Sequence, residues 1–187
     1  MFWLSDQKKE DNLCYCGVMI MKMVVGTQTV EIGPDGGPNF KVPSEVDVAI
    51  RDTDTYDIDV RLQWSARESK LVATQATFTS TSNDEPVSVS RIARISVRDA
   101  MQTDLELEVL GVNSWQGIVK DNEGSDPVAI DALIYLLAIA VNSPHPSATV
   151  ATARGLAPSS GPKRVSEARK RGLIPQTQPG KASASTD

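Results

Sequence analysis

The sequence predicts an α+β fold in which an N-terminal antiparallel β-sheet domain is followed by a C-terminal tri-helical unit. Apolar and polar residues alternate strictly from Tyr56 to Trp64, which is typical of an antiparallel strand with one buried face. Asp126-Pro127 begins a long apolar run with residue types that start helices. Gly155 separates two further segments with helical spacing. The sheet is therefore expected early in the chain and the helices late.

Composition allows a packed core and excludes wholesale disorder. The chain has 187 residues, of which 40% are hydrophobic and 23% are charged, values that are ordinary for a globular protein. This length suits one domain of ordinary size or two small ones. Aromatic residues make up only 5%, so aliphatic side chains are expected to fill the core.

Five segments between residues 18 and 81 have the composition of strands and are separated by turn residues. Gly33–Pro38 is the densest of these turn clusters, and residues 83–86 end the last strand. The predicted strands are Val18–Val25, Thr27–Ile32, Val46–Ile50, Tyr56–Trp64 and Lys70–Thr81.

The pattern changes after the strands, and it divides the chain into five parts. Ile92, Ile95 and Val97 suit short helical turns, and Asp99–Val109 is predicted as a helix. Met19, Met21 and Met23 are all alternative starts, so the first residues are left as an uncertain extension. The predicted parts are an N-terminal extension (1–17), a β-rich domain with a following helix (18–110), a linker (111–124), a helix-turn-helix-like domain (125–174) and a disordered tail (175–187).

The C-terminal unit is predicted from its helix starts and stops. Val128–Val141 is the first helix, and Pro146 opens a second over Ser147–Arg154. Gly155 then supplies a left-handed turn, beneath which Leu156 is expected to plug the core. Ser159 or Ser160 caps a third helix that runs to about Arg171. Gly161-Pro162 delays this helix, because proline is tolerated only in a first turn.

Charge is distributed unevenly, and the third helix carries much of the positive charge. Residues 144–187 contain seven Lys or Arg and two Asp or Glu, a net charge of +5, whereas the whole chain has −5. An acidic body with a basic arm is typical of proteins whose one end meets a polyanion. We expect Lys163, Arg164, Lys170 and Arg171 to point outward and to contact double-stranded DNA. The full set of candidate DNA-binding residues is Ser159, Ser160, Lys163, Arg164, Arg169, Lys170 and Arg171.

A series of short motifs in this region carries a resemblance to known proteins. They are Pro146-Ser147, Val150-Ala151, Gly155-Leu156, Val165, Ala168-Arg169, Gly172–Pro175 and Gly180-Lys181. In this order they resemble a helix-turn-helix module of uncharacterised actinobacterial and actinophage regulators. The resemblance implies DNA binding and transcription regulation in an actinobacterium, its mobile elements or a phage. One small unit makes few DNA contacts, so a homodimer is expected.

Two departures from this pattern leave a second interpretation open. Arg154 stands where such modules usually have an apolar residue, and Gly161-Pro162 falls where the recognition helix should already be established. The alternative is a non-catalytic interaction or structural protein of phage origin whose C-terminus is only a basic helical bundle. Steep weakening of DNA binding with salt would distinguish the two interpretations.

Enzymatic, metal-binding and membrane functions find little support in the sequence. No nucleophile elbow, phosphate-binding loop or metalloprotease motif is present, so neither an enzyme nor a cofactor is predicted. Cys14, Cys16 and His145 are too few for a disulfide framework or a zinc site. The apolar runs are too short to span a bilayer, and no secretory signal is visible, so a cytoplasmic protein is predicted.

Two further clusters of charged residues each allow more than one function. Asp52, Asp54, Asp57 and Asp59 have the density of a Mg²⁺ or Ca²⁺ site, but Asp57 and Asp59 share the polar face of a strand. A solvated rim or a protein-facing surface is therefore favoured over a metal site. Arg91, Arg94 and Arg98 have helical spacing. They either extend a nucleic-acid surface or, as we favour, pair with the acidic strand region.

Overall fold

A computed structural model describes residues 14–16, 19–52, 56–81 and 115–175. It is a mixed α+β structure, with antiparallel strands in its N-terminal part and helices in its C-terminal part, as the sequence predicts. The strands are β1 (Cys14–Cys16), β2 (Met19–Val25), β3 (Thr29–Ile32), β4 (Phe40–Pro43), β5 (Glu45–Asp52), β6 (Tyr56–Ser65) and β7 (Lys70–Ser80). The helices are α1 (Trp115–Asp121), α2 (Pro127–Ala140), α3 (Pro146–Ala153) and α4 (Gly161–Lys170), and a 3₁₀ turn (Pro158–Ser160) precedes α4.

Five of these strands form one antiparallel sheet in the order β1-β2-β5-β6-β7, and β3 pairs with β4 in a separate hairpin. The predicted alternation in β6 is confirmed, since Ile58, Val60 and Leu62 are buried on one face of the strand. Val60 lies opposite Val48 of β5, which is also buried. The register between β6 and β7 shifts at Arg61/Leu62. One face of the sheet therefore packs against the core, and the other is polar.

Arginine–carboxylate pairs cross the strands on this polar face. Arg51 contacts Asp57 and Asp59, with distances of 3.6 Å and 2.7 Å. Arg61 contacts Asp47 at 2.8 Å, and the hydrogen bond and charge of Asp47, aided by Glu45, raise the pKa of Arg61. Such half-exposed pairs stabilise a fold only weakly. In the predicted acidic cluster, Asp57 and Asp59 therefore lie beside an arginine. Asp54 of the same cluster lies outside the described residues.

Three of the helices end in the same way, with one residue in the left-handed region. These residues are Asn142, Gly155 and Gly172, with φ of 58°, 67° and 72°. After each, the next amide donates to a carbonyl five residues earlier, as in the donation from Leu156 N to Ala151 O at 2.9 Å. This closing bond satisfies carbonyls that a helix end leaves free. The predicted left-handed turn at Gly155 is confirmed.

The start of α2 also follows the prediction, but two other local expectations differ. Asp126 caps α2 by accepting from Val128 N at 3.0 Å, with Pro127 first in the helix. Leu156, expected to plug the core, is 42% exposed. Val150 and Ala151 of α3 are fully buried in this region.

A helix occupies half of the segment that was expected to be a linker. Residues 115–121 form α1, and Ile118 is buried in the common core while Trp115 and Val119 pack against it. The prediction gave weight to the glycines and asparagines between 111 and 124, whereas apolar residues at helical spacing decide the structure. The helix predicted at Asp99–Val109, the Arg91–Arg98 stripe and the tail from 176 onward lie outside the described residues.

The sheet and the helices share one cluster of buried apolar side chains. Ile32, Val60 and Leu71 of the strands belong to it together with Leu133 and Leu137 of α2. A hydrogen bond reinforces this contact, because the side-chain amide of Asn142 donates to Leu71 O at 2.8 Å. The left-handed helix end thus carries a side chain that joins α2 to β7.

Candidate functional site

Six of the seven predicted DNA-binding residues lie on α4 and the 3₁₀ turn before it, and Arg171 directly follows α4. As expected from Gly161-Pro162, the proline falls in the first turn of α4. Gly161 permits close packing, since a Cβ there would overlap the carbonyl oxygen of Ser147 in α3. Ser160 precedes the helix but does not cap it; its hydroxyl donates to Ala157 O at 2.8 Å. Ser159 is exposed.

A buried carboxylate determines where two arginines of this region point. Asp131, in the middle of α2, is only 2% exposed. Arg154 Nε donates to its Oδ1 at 2.8 Å, and Arg164 Nη1 donates to its Oδ2. Arg154 also donates to Pro127 O at 2.6 Å. A buried charge needs such partners, because an unpaired one is strongly destabilising.

These contacts change the interpretation of Arg154 and Arg164. The position of Arg154 was expected to be apolar. An arginine is found there because its guanidinium pairs with the buried carboxylate of Asp131. Arg164, expected to point outward to DNA, instead turns toward α2. Sequence reasoning did not assign Asp131 a role. The available signal was a single acidic residue inside a 14-residue apolar helix.

The two arginines near the end of α4 also contact neighbouring side chains. Arg169 donates to Tyr135 Oη at 2.8 Å, and its guanidinium carbon lies 5.3 Å from the centre of the Tyr135 ring. Arg171, expected to face DNA, lies 3.0 Å from Asp126 and 3.3 Å from Glu167. Arg171 remains half-exposed, whereas Arg169 lies against α2.

Lys163 and Lys170 are the predicted cations that the structure leaves outward. Both are exposed, and they lie about two turns apart on α4. Val165 and Ala168 face the opposite way and are buried. Ser166 lies between the lysines on the exposed side. We call this side of α4 the lysine face, defined by Lys163, Ser166 and Lys170.

The described residues contain neither a metal-binding cluster nor a membrane-spanning helix. Over residues 14–16, 19–52, 56–81 and 115–175, no group of three or more His, Cys, Asp or Glu side chains could hold a metal ion. In the same part of the chain, no helix has both the length and the apolar character needed to cross a membrane.

Comparisons with known proteins identify no relative. No family model matches the chain, and neither curated proteins nor solved structures give a significant match.

Proposed function

We propose that the C-terminal helical unit binds double-stranded DNA through the lysine face of α4. The observation that carries this proposal is the exposure of Lys163 and Lys170 on one side of a helix. This helix lies in a segment with a net charge of +5. Lysines in such an arrangement attract phosphates irrespective of base sequence. The hydroxyl of Ser159, which is exposed just before α4, supplies a further phosphate donor.

The same geometry favours phosphate contact over reading of bases. Arginine is the side chain that most often recognises a base edge in the major groove, but Arg164 is directed toward Asp131. Two lysines and one serine per chain give few contacts, so the proposal includes a second copy of the chain on the DNA. A helix-turn-helix arrangement of α3 and α4, a regulatory role and a cytoplasmic location belong to the same proposal.

A second candidate function is favoured by the arginine contacts themselves. Arg154, Arg164 and Arg171 form ion pairs with carboxylates of the same chain. Much of the positive charge thus stabilises the helical unit without any nucleic acid. On this interpretation the protein is a non-catalytic interaction or structural protein with a basic helical C-terminus.

Fluorescence polarisation of the full chain with a labelled duplex distinguishes the two functions. The chain should bind at low salt and lose affinity steeply as salt rises. The double variant K163Q/K170Q should weaken binding. The double variant K41Q/K120Q is the matched control, since it removes the same charge outside α4. Absence of binding to any duplex at low salt, or equal loss in both variants, would contradict the proposal.

A further inference from the structure

A cavity lies between the sheet side of the molecule and the helices. Its volume is about 350 Å³, and its walls come from β3, the end of β6, the following turn, α2 and the end of α4. Small-molecule sites in proteins start at about 300 Å³ and prefer junctions between structural layers. The cavity therefore has room for a ligand of one or two rings.

Most of the cavity wall on the α2 side is apolar. Beyond the first turn, the side chains of α2 that are not fully buried are Tyr135, Leu136 and Ile139. All three line the cavity, and Trp64 of β6 contributes a second aromatic side chain. Aromatic rings and aliphatic side chains together bind flat apolar ligands, since they offer both area and stacking.

Arg169 provides the positive charge of this cavity. Of the described residues that line it, Arg169 is the single cation. The Tyr135 ring and the Tyr135 hydroxyl together orient its guanidinium. A guanidinium held in this way suits a carboxylate, because its N–H groups form a planar fork. Arg169 is not one of the residues that define the lysine face.

Two carboxylates also line the cavity, but each has a lysine close by. Glu31 lies 3.7 Å from Lys41, and Glu68 lies 3.0 Å from Lys70. Both glutamates are well exposed to solvent, with side-chain exposures of 62% and 51%. Their charges are thus balanced and screened. Arg169 is less exposed than either glutamate, so its charge is screened less than theirs.

We propose that this cavity binds a small aromatic carboxylate, with the ring between Trp64 and Tyr135 and the carboxylate on Arg169. The proposal does not depend on DNA binding. It requires neither the lysine face nor a second copy of the chain.

Three probes of similar shape and different charge test it on the unmodified full chain. They are 1-naphthoate, 1-naphthalenemethanol and 1-naphthylmethylammonium, titrated by isothermal calorimetry at one ionic strength. The anion should bind about tenfold or more tighter than the neutral probe, as a charge-assisted hydrogen bond requires. The cation should bind weakest. In NMR spectra, the Trp64 indole N–H should shift with naphthoate, whereas that of Trp115 should not.

A pair of variants localises the carboxylate. R169Q should lose about tenfold in naphthoate affinity and keep its affinity for the neutral probe. K120Q on α1, which removes a cation that does not line the cavity, is the control and should bind naphthoate normally. Tightest binding of the ammonium probe would overturn the proposal in favour of a cation site at Glu31 and Glu68. Failure of all three probes to bind, or equal affinity for all three, would also overturn it.

Discussion

Arg154 donates its Nε hydrogen to Asp131 at 2.8 Å, and this contact joins the end of α3 to the middle of α2. Arg164 of α4 occupies the other carboxylate oxygen. One buried carboxylate of α2 thus binds Arg154, which directly follows α3, and Arg164 of α4. Because a half-satisfied buried ion pair is unfavourable, this contact constrains where α3 and α4 lie against α2.

Asp131→Asn should destabilise the protein strongly. The substitution keeps the size of the side chain but leaves two arginines without their charge partner, which typically costs about 3–5 kcal/mol for a buried pair. The free energy of unfolding in urea would measure it. Asp47→Asn, which removes an exposed partner of Arg61, is the control and should change stability far less. Similar losses in both variants would contradict a special role for Asp131.

The triple variant D131L/R154M/R164M tests the same cluster in another way. Replacing a whole buried ionic cluster by apolar residues is often neutral or stabilising. We therefore expect it to recover most of the stability that Asp131→Asn loses. If the triple variant is less stable than the single one, packing rather than charge governs this position.

Gly161→Ala should be more harmful than Gly155→Ala. A methyl group at Gly161 would overlap the carbonyl of Ser147, so α3 and α4 must move apart. Such overpacking costs about 1–3 kcal/mol or more. At Gly155 there is open space around a new Cβ, but φ is +67°, and a non-glycine residue there costs about 1–2 kcal/mol. Thermal unfolding of the two variants would show the order, and the reverse order would refute the close helix contact.

Asn142→Gly should weaken the link between α2 and the sheet. Glycine keeps the left-handed conformation at this helix end but removes the donor to Leu71 O. Leaving a part-buried carbonyl without its partner costs about 1–3 kcal/mol. Urea denaturation followed by tryptophan fluorescence and by circular dichroism should show one shared transition at lower urea. Two separated transitions in the unmodified chain would contradict the common core.

If the lysine face contacts phosphates, its removal should change the salt dependence of DNA binding by a defined amount. Each phosphate contact contributes about −0.9 to the slope of log K against log salt concentration. K163Q/K170Q should therefore reduce the magnitude of that slope by about 2 per chain. Polarisation titrations over several salt concentrations measure it. An unchanged slope would mean that the two lysines do not contact the phosphates.

Local signals in the sequence predicted most of the described fold. The alternation around Ile58 and Val60, the Asp126-Pro127 start and the Gly155 turn were all recognised, because each depends on a few neighbouring residues. The helix at Trp115–Asp121 was not predicted, since its glycine and the flanking Asn113 and Asn122 suggested a linker while its apolar residues required partners elsewhere. A separate linker was likewise expected between two parts that in fact share buried side chains.

The orientation of the arginines was decided only in the tertiary structure. Composition determined that the C-terminal segment is basic, and four of its seven cations lie on α4. Whether an arginine faces solvent depends on carboxylates and rings that lie far away in sequence. Asp131 precedes Arg154 by 23 residues and Arg164 by 33. The cavity beside Arg169 has the same origin, since it exists only where β6 and α2 come together. A sequence determines which charges are present, but the free energy of burying them depends on the neighbours that folding supplies.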